Sequence, residues 1–186
     1  MQKTPPHTDV LELGVGGGSG LQLLIKLCYQ VHRQYIGFDT FTGFPDGAKQ
    51  DNFFKSSSKP IYKCFDQKYL RGQLESLGYA TNLIEKIKFV RGLLPDTLSL
   101  YTGTPGFAYI DLDLYESYLG SLRTLYPRMA DGGIILLDEY DSESDLKKWP
   151  GAKMAIDEFC READIKLQTH HTGRKYIVKV PCGSLK

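Results

Sequence analysis

Asp9-Val10-Leu11-Glu12-Leu13-Gly14-Val15-Gly16-Gly17-Gly18-Ser19-Gly20 decides how the rest of the chain is read. A short apolar run ends in a carboxylate and a glycine-rich turn. Leu21, Leu23, Leu24, Ile25 and Leu27 follow as the start of a helix. The order is strand, glycine turn, helix. Glycine has no Cβ and tolerates φ > 0, so a ligand can approach the backbone of such a turn closely. The unpaired N–H groups of the helix start point into the same gap.

Outward from the turn, a helix is expected over roughly residues 18–32, then a strand Tyr35-Ile36-Gly37-Phe38-Asp39. Asp39 lies 25 positions beyond Gly14. That is near the ~20-residue offset at which an acid meets the ribose of a nucleotide cofactor. A carboxylate there can accept two hydrogen bonds from a cis-diol; a solvated strand-end aspartate is the other reading. Residues 40–66 are aromatic, then polar, with no periodicity. A loop of that length in a compact domain is usually functional or mobile, and it reads as a wall or lid over the site or as a loose insertion.

A helix through Leu70, Leu74 and Leu77 comes next, then strands at 86–92 and 106–111, the second ending in Asp111. Leu119, Leu122, Leu125, Tyr126 and Met129 have helical spacing, which predicts a helix from about Tyr115 to Ala130. Ile134-Ile135-Leu136-Leu137 is a fifth strand, ending in Asp138-Glu139-Tyr140; residues 141–148 read as a polar, acidic loop before a helix through Phe159. Two final strands, about 165–170 and 175–180, flank a tight turn at Thr172-Gly173. Strands alternating with helices predict a parallel sheet covered on both faces. The last two strands are too close for a helical crossover, so one must pair antiparallel. The expected α/β fold is a mainly parallel seven-stranded sheet with a C-terminal antiparallel hairpin. It is the Rossmann-like sandwich of class I methyltransferases rather than an all-parallel dinucleotide fold.

The totals fit one domain spanning residues 1–186 of 186. A net charge of +1 gives no broad electrostatic footprint for nucleic acid. No run approaches the roughly 20 apolar residues of a membrane span. Met1-Gln2-Lys3-Thr4-Pro5-Pro6 has no apolar signal core, so a cytoplasmic location is expected. Cys28, Cys64, Cys160 and Cys182 are far apart and read as unlinked thiols. His7, His32, His170 and His171 are scattered and pair with nothing in sequence.

Glu12, Asp39, Asp111, Asp113, Asp138 and Glu139 all fall at or near strand ends of the kind where open α/β sheets bind ligands. Several carboxylates on one rim repel unless something positive lies between them. Asp111, Asp138 and Glu139 could offer hard oxygen ligands to Mg²⁺, or the acids could cap helices and stay solvated.

Taken together these stretches resemble a known family. Glu12 to Ser19 is similar to motif I of S-adenosylmethionine-dependent methyltransferases. Further segments are Gly37-Phe38-Asp39-Thr40-Phe41-Thr42-Gly43-Phe44-Pro45, Arg91 to Leu98, Tyr109-Ile110-Asp111-Leu112-Asp113-Leu114-Tyr115-Glu116-Ser117, and Leu125 through Asp138-Glu139-Tyr140 to Phe159. In that order they resemble the macrocin O-methyltransferase family, which methylates sugar hydroxyls of natural products. The resemblance implies that Gly14, Gly16, Gly18 and Ser19 line the methionine moiety, with Glu12 holding the turn. Asp39 would take the ribose diol, Thr40 and Phe41 would lie beside the adenosine, and Arg91, Gly92 and Leu93 would border the adenine. Asp111, Asp138 and Glu139 match the family's Mg²⁺ ligands, and Asp111 is also the position credited with helping to deprotonate the acceptor hydroxyl.

The expected activity is therefore Mg²⁺-assisted O-methylation of a sugar or other polyhydroxylated small molecule. A silent cofactor-binding module and an NAD-dependent oxidoreductase are the alternatives. Two departures from the family accompany this. Glu139 stands where an aspartate is usual and is one methylene longer. Motif I begins within ten residues of Met1, so no counterpart of the family's N-terminal lid is expected in these residues. An acceptor pocket that is open, or covered by residues 41–60 or by a second subunit in a homodimer, is the corresponding expectation.

Overall fold

The computed structural model describes residues 4–45, 47, 49–51, 65–140 and 142–181. Seven strands form one sheet: β1 (Asp9–Leu13), β2 (Tyr35–Asp39), β3 (Lys88–Arg91), β4 (Pro105–Ile110), β5 (Ile134–Leu137), β6 (Gln168–Thr169) and β7 (Lys175–Val178). Their spatial order is β3-β2-β1-β4-β5-β7-β6. The pairs β1–β2, β1–β4, β2–β3 and β4–β5 are parallel, while β7 runs antiparallel to both β5 and β6. This is the expected sheet, with β7 as its one reversed strand.

Helices α1 (Ser19–Gln30), α2 (Gln67–Ser76), α3 (Thr81–Ile84), α4 (Tyr115–Leu125), α5 (Glu143–Lys148) and α6 (Pro150–Glu162) cover the sheet. β1 sits at its centre, and Val10, Leu11 and Leu13 are completely buried, as an apolar run covered on both faces must be. On one face α1 presents Leu21, Leu24, Ile25 and Cys28, joined by Leu70 and Leu74 of α2. On the other, Tyr118, Leu119, Leu122 and Leu125 of α4 meet Ala152, Ala155, Ile156 and Phe159 of α6. The small alanines let α6 approach α4 closely.

Three elements differ from expectation. α4 stops at Leu125 rather than near Ala130, and a single 3₁₀ turn, Tyr126–Arg128, follows. Pro127 has no N–H to continue the ladder, and its ring would crowd the preceding turn. The segment after β5, expected as loop, contains α5. Ser142 caps it by accepting from the Asp145 N–H at 3.0 Å, with acids in its first turn and Lys147 and Lys148 in its last. β6 is only two residues long; Ile165 and Leu167 pack against the core from the connection before it. Among the described residues no helix is long and apolar enough to cross a membrane. Cys28 and Cys160 are unlinked; Cys64 and Cys182 lie outside the described residues.

Candidate active site

Parallel register carries the strand ends into one line. Gly14 N–H donates to Phe38 C=O at 2.9 Å, Asp111 N–H to Leu13 C=O at 2.9 Å, and Asp138 N–H to Ile110 C=O at 3.0 Å. The turn after β1 therefore lies between Asp39 on one side and Asp111 on the other. Gly14 has φ 87°, and a Cβ built there would stand 1.8 Å from the Asp111 carbonyl oxygen. Backbone occupies that space, so only glycine fits.

A cleft of about 220 Å³ opens over this line. Of the residues expected there, Gly14, Gly16, Asp39, Thr40, Gly92, Leu93 and Asp111 line it. Phe44, Pro45, Phe65, Leu94 and Leu112 supply apolar wall. Outside the lining, Gly18 is the N-cap of α1 at φ 86°, Ser19 and Arg91 are exposed, and Phe41 is buried edge-on against Phe89. Phe41 holds φ 55°, a conformation costly for a bulky side chain.

Asp39 does more than end a strand. One carboxylate oxygen accepts from the Val15 and Gly16 N–H groups, both at 2.9 Å, and the other accepts from Phe41 N–H at 2.8 Å. It thus shapes both the glycine turn and the loop after β2. Glu12 lies beneath the turn, 1% exposed. It accepts from the Tyr35 hydroxyl, and its Oε1 sits 2.0 Å from where a Cβ on Gly20 would be. Glu12 and Gly20 are thus a matched pair that lets α1 start tight against β1. Burial pushes the Glu12 carboxyl up to about 8, despite the tyrosine hydrogen bond.

The loop after β2 is tied across the cleft. Phe44 stacks on Trp149 at a ring distance of 5.7 Å. Asp51, 2% exposed, accepts from the Tyr115 N–H at the start of α4 at 3.0 Å and abuts Gly151 at the start of α6. Of the segment 40–66, Thr40, Gly43, Phe44 and Pro45 line the cleft, and Asp51 ties the segment to α4; residues 46, 48 and 52–64 lie outside the described residues.

The acidic rim divides into two groups. Carboxylate oxygens of Asp111, Asp113 and Glu139 all lie within 4.8 Å of one another. Asp138, the other expected member, turns away: it accepts from the Tyr109 hydroxyl at 2.6 Å and pairs with Arg174. Arg174 also donates to the Asp138 carbonyl at 2.7 Å, tying the β6–β7 turn to the end of β5. Asp113 enters the cluster because a three-residue turn, closed by Leu114 N–H to Leu112 C=O at 2.6 Å, holds it at φ 61°. Burial raises the carboxyl groups of Asp111, Asp113 and Glu139, and neighbouring acids add to it.

Three hard-oxygen donors that repel one another, Glu139 buried and Asp111 and Asp113 half-buried, suit a divalent cation such as Mg²⁺. Sequence reasoning named Asp113 but did not place it in this set. Its signal was the Asp111-Leu112-Asp113 spacing, whose outcome depends on backbone conformation. His170 and His171 stack at the exposed hairpin turn, apart from the cleft lining.

Strand order, glycine turn and acidic rim define the fold as that of class I methyltransferases. Residues 4–173 match the Macrocin-O-methyltransferase (TylF) family, and the chain belongs to that family. It is 27% identical over 167 residues to the Demethyldecarbamoylnovobiocin O-methyltransferase of Streptomyces niveus, covering 84% of this chain and 60% of that protein. It is 28% identical over 141 residues to the 8-demethyl-8-(2,3-dimethoxy-alpha-L-rhamnosyl)-tetracenomycin-C 4'-O-methyltransferase of Streptomyces olivaceus, covering 71% and 52%. The chain thus spans between half and three fifths of the length of these relatives. The solved O-methyltransferase NovP matches with a TM-score of 0.76 at 24% identity, over 97% of this chain and 74% of that one, a likeness of fold.

Proposed function

We propose that the protein is an S-adenosylmethionine-dependent, Mg²⁺-assisted O-methyltransferase acting on a hydroxyl of a sugar or another polyhydroxylated small molecule. One observation carries this reading. Asp111 belongs both to the cleft over the glycine turn and to the three-carboxylate cluster, so a methyl donor in the first would adjoin a cation in the second. The two named relatives, one of them a rhamnosyl-compound 4'-O-methyltransferase, support the acceptor class.

S-adenosylmethionine would supply an electrophilic methyl group, and Mg²⁺ would lower the pKa of a coordinated hydroxyl. The chain supplies the rest. Gly14 and Gly16 leave room for backbone approach, Asp39 and Thr40 offer polar contacts to a ribose, and Phe44, Pro45 and Leu93 offer apolar surface to a base. Asp111, Asp113 and Glu139 would hold the cation, while Asp138 keeps its charge balanced by Arg174. Asp111 would accept the hydroxyl proton as it leaves.

Calorimetry should detect S-adenosylhomocysteine binding that Asp39→Ala weakens at least tenfold. Methyl transfer to a panel of deoxysugar compounds should stop with a chelator and with Asp111→Asn. Failure of the wild-type protein to bind S-adenosylhomocysteine would sink the proposal.

A further inference from the structure

Glu139 stands two residues beyond the end of β5, beside Asp138. Its side chain runs inward from the end of β5 and is 2% exposed. Its Oε2 lies 2.6 Å from the hydroxyl of Tyr118, a residue of α4 with no exposed surface. The same hydroxyl lies 2.8 Å from the carbonyl of Ile110, the last residue of β4. Tyr118 is therefore fixed between the ends of the two strands that carry the acidic cluster. The hydroxyl has a single proton and both neighbours are acceptors, so that proton is shared between the Glu139 carboxylate and the Ile110 carbonyl. A glutamate reaches this hydroxyl from β5; an aspartate, one methylene shorter, would leave the tyrosine hydroxyl buried with one partner fewer.

We infer that Tyr118 is a positioning residue whose hydroxyl fixes the Glu139 carboxylate against Asp111 and Asp113, completing a three-carboxylate site for a divalent cation. This rests on the proposed cation-assisted reading of the cluster. It also accounts for glutamate at position 139: the extra methylene spans the gap between the strand end and α4. Tyr118 is not among the residues that line the cleft, and its hydroxyl meets the acidic cluster at Glu139. Residues that orient a metal ligand in this manner typically change metal affinity by 10–100-fold when altered.

The test uses Mn²⁺, a hard cation readable by electron paramagnetic resonance, on the wild type, Tyr118→Phe, Glu139→Asp and the double variant. Tyr118→Phe and Glu139→Asp should each weaken Mn²⁺ about tenfold. The double variant should be no weaker than the weaker single, because both remove one contact. S-adenosylhomocysteine affinity should stay within about twofold of wild type in every variant, an outcome a general loss of structure would not give.

Unchanged Mn²⁺ affinity in Tyr118→Phe, or losses that multiply in the double variant, would overturn the role of Tyr118 and leave the cation site standing. A wild type that binds no Mn²⁺ at millimolar concentration would overturn the cation site and this role together. The S-adenosylhomocysteine titration then reports separately on the cofactor cleft. Should Tyr118→Phe fail to fold, Glu139→Asp decides alone: wild-type Mn²⁺ affinity in that variant overturns the inference.

Discussion

Glu12 is an expensive residue to bury, and the protein keeps it neutral over much of the pH range. Its carboxyl rises from an ordinary 4.5 to about 8, mainly through loss of water. A carboxyl with a raised folded-state pKa binds its proton more tightly in the folded chain. Its contribution to stability is therefore full below about 4.5, falls as pH rises to about 8, and is lost above that. Glu12→Gln stays neutral throughout. The variant should gain on the wild type between pH 5 and pH 8, by on the order of 3–5 kcal/mol across the window. Urea unfolding at several pH values measures the gap; a gap that does not change with pH would refute the argument. At the same scale, the Gly14 position shows why this turn cannot take a side chain: positive φ and the Asp111 carbonyl both forbid one.

Among the elements, the segment after β2 is anchored through Phe44 on Trp149 and Asp51 on the start of α4. Asp51 accepts from the first N–H of α4, one of the donors a helix leaves unpaired at its start. Asp51→Ala should cost about 1–2 kcal/mol in chemical denaturation. It should also speed S-adenosylhomocysteine release in stopped-flow, since Phe44 and Pro45 of the same segment line the cleft. Asp51→Asn keeps an acceptor oxygen and should lose less; equal release rates in all three proteins would show that the segment does not retain the ligand. Helix α5 teaches a different lesson. Its start signal, Ser142 followed by Asp145, and its terminal lysines are local and present in the sequence. They are outweighed on reading by the polarity of the stretch, because a short exposed helix has no apolar stripe to announce it.

On the scale of the whole molecule, the sheet gathers acids at the carboxyl ends of its strands and apolar mass on its two faces. The acidic cluster is a cost in the free protein that a bound cation would relieve. Anything that binds only the folded state raises its apparent stability. Millimolar Mg²⁺ should therefore raise the melting temperature by a few degrees, ethylenediaminetetraacetate should reverse it, and Asp111→Asn should abolish the increment. A melting temperature indifferent to Mg²⁺ in the wild type would count against the cation reading. Calorimetric scans with and without the ion decide it.

Much of this was legible in the chain. Apolar runs marked the strands and helical spacing the main helices, and their alternation implied parallel pairing, because a crossover through a helix returns the chain in the same direction. The closeness of the last two strands required an antiparallel partner, since so few residues cannot make a crossover. The glycines of the turn and the position of Asp39 announced the cleft by spacing alone. Side-chain partnership was not legible. Asp138 and Glu139 are neighbours in sequence, yet they point to opposite sides of β5: one meets Tyr109 and Arg174, the other Tyr118 and Asp111. Asp113 joins the cluster through a backbone conformation that its residue type permits but does not dictate. Sequence determined the main strands and helices and which acids lie at the strand ends, because these follow from apolar runs, helical spacing and strand ends, though not the short helix α5. Only the tertiary structure decided which acids share a site, because that depends on alternation across a strand and on residues brought in from α4 and the final hairpin.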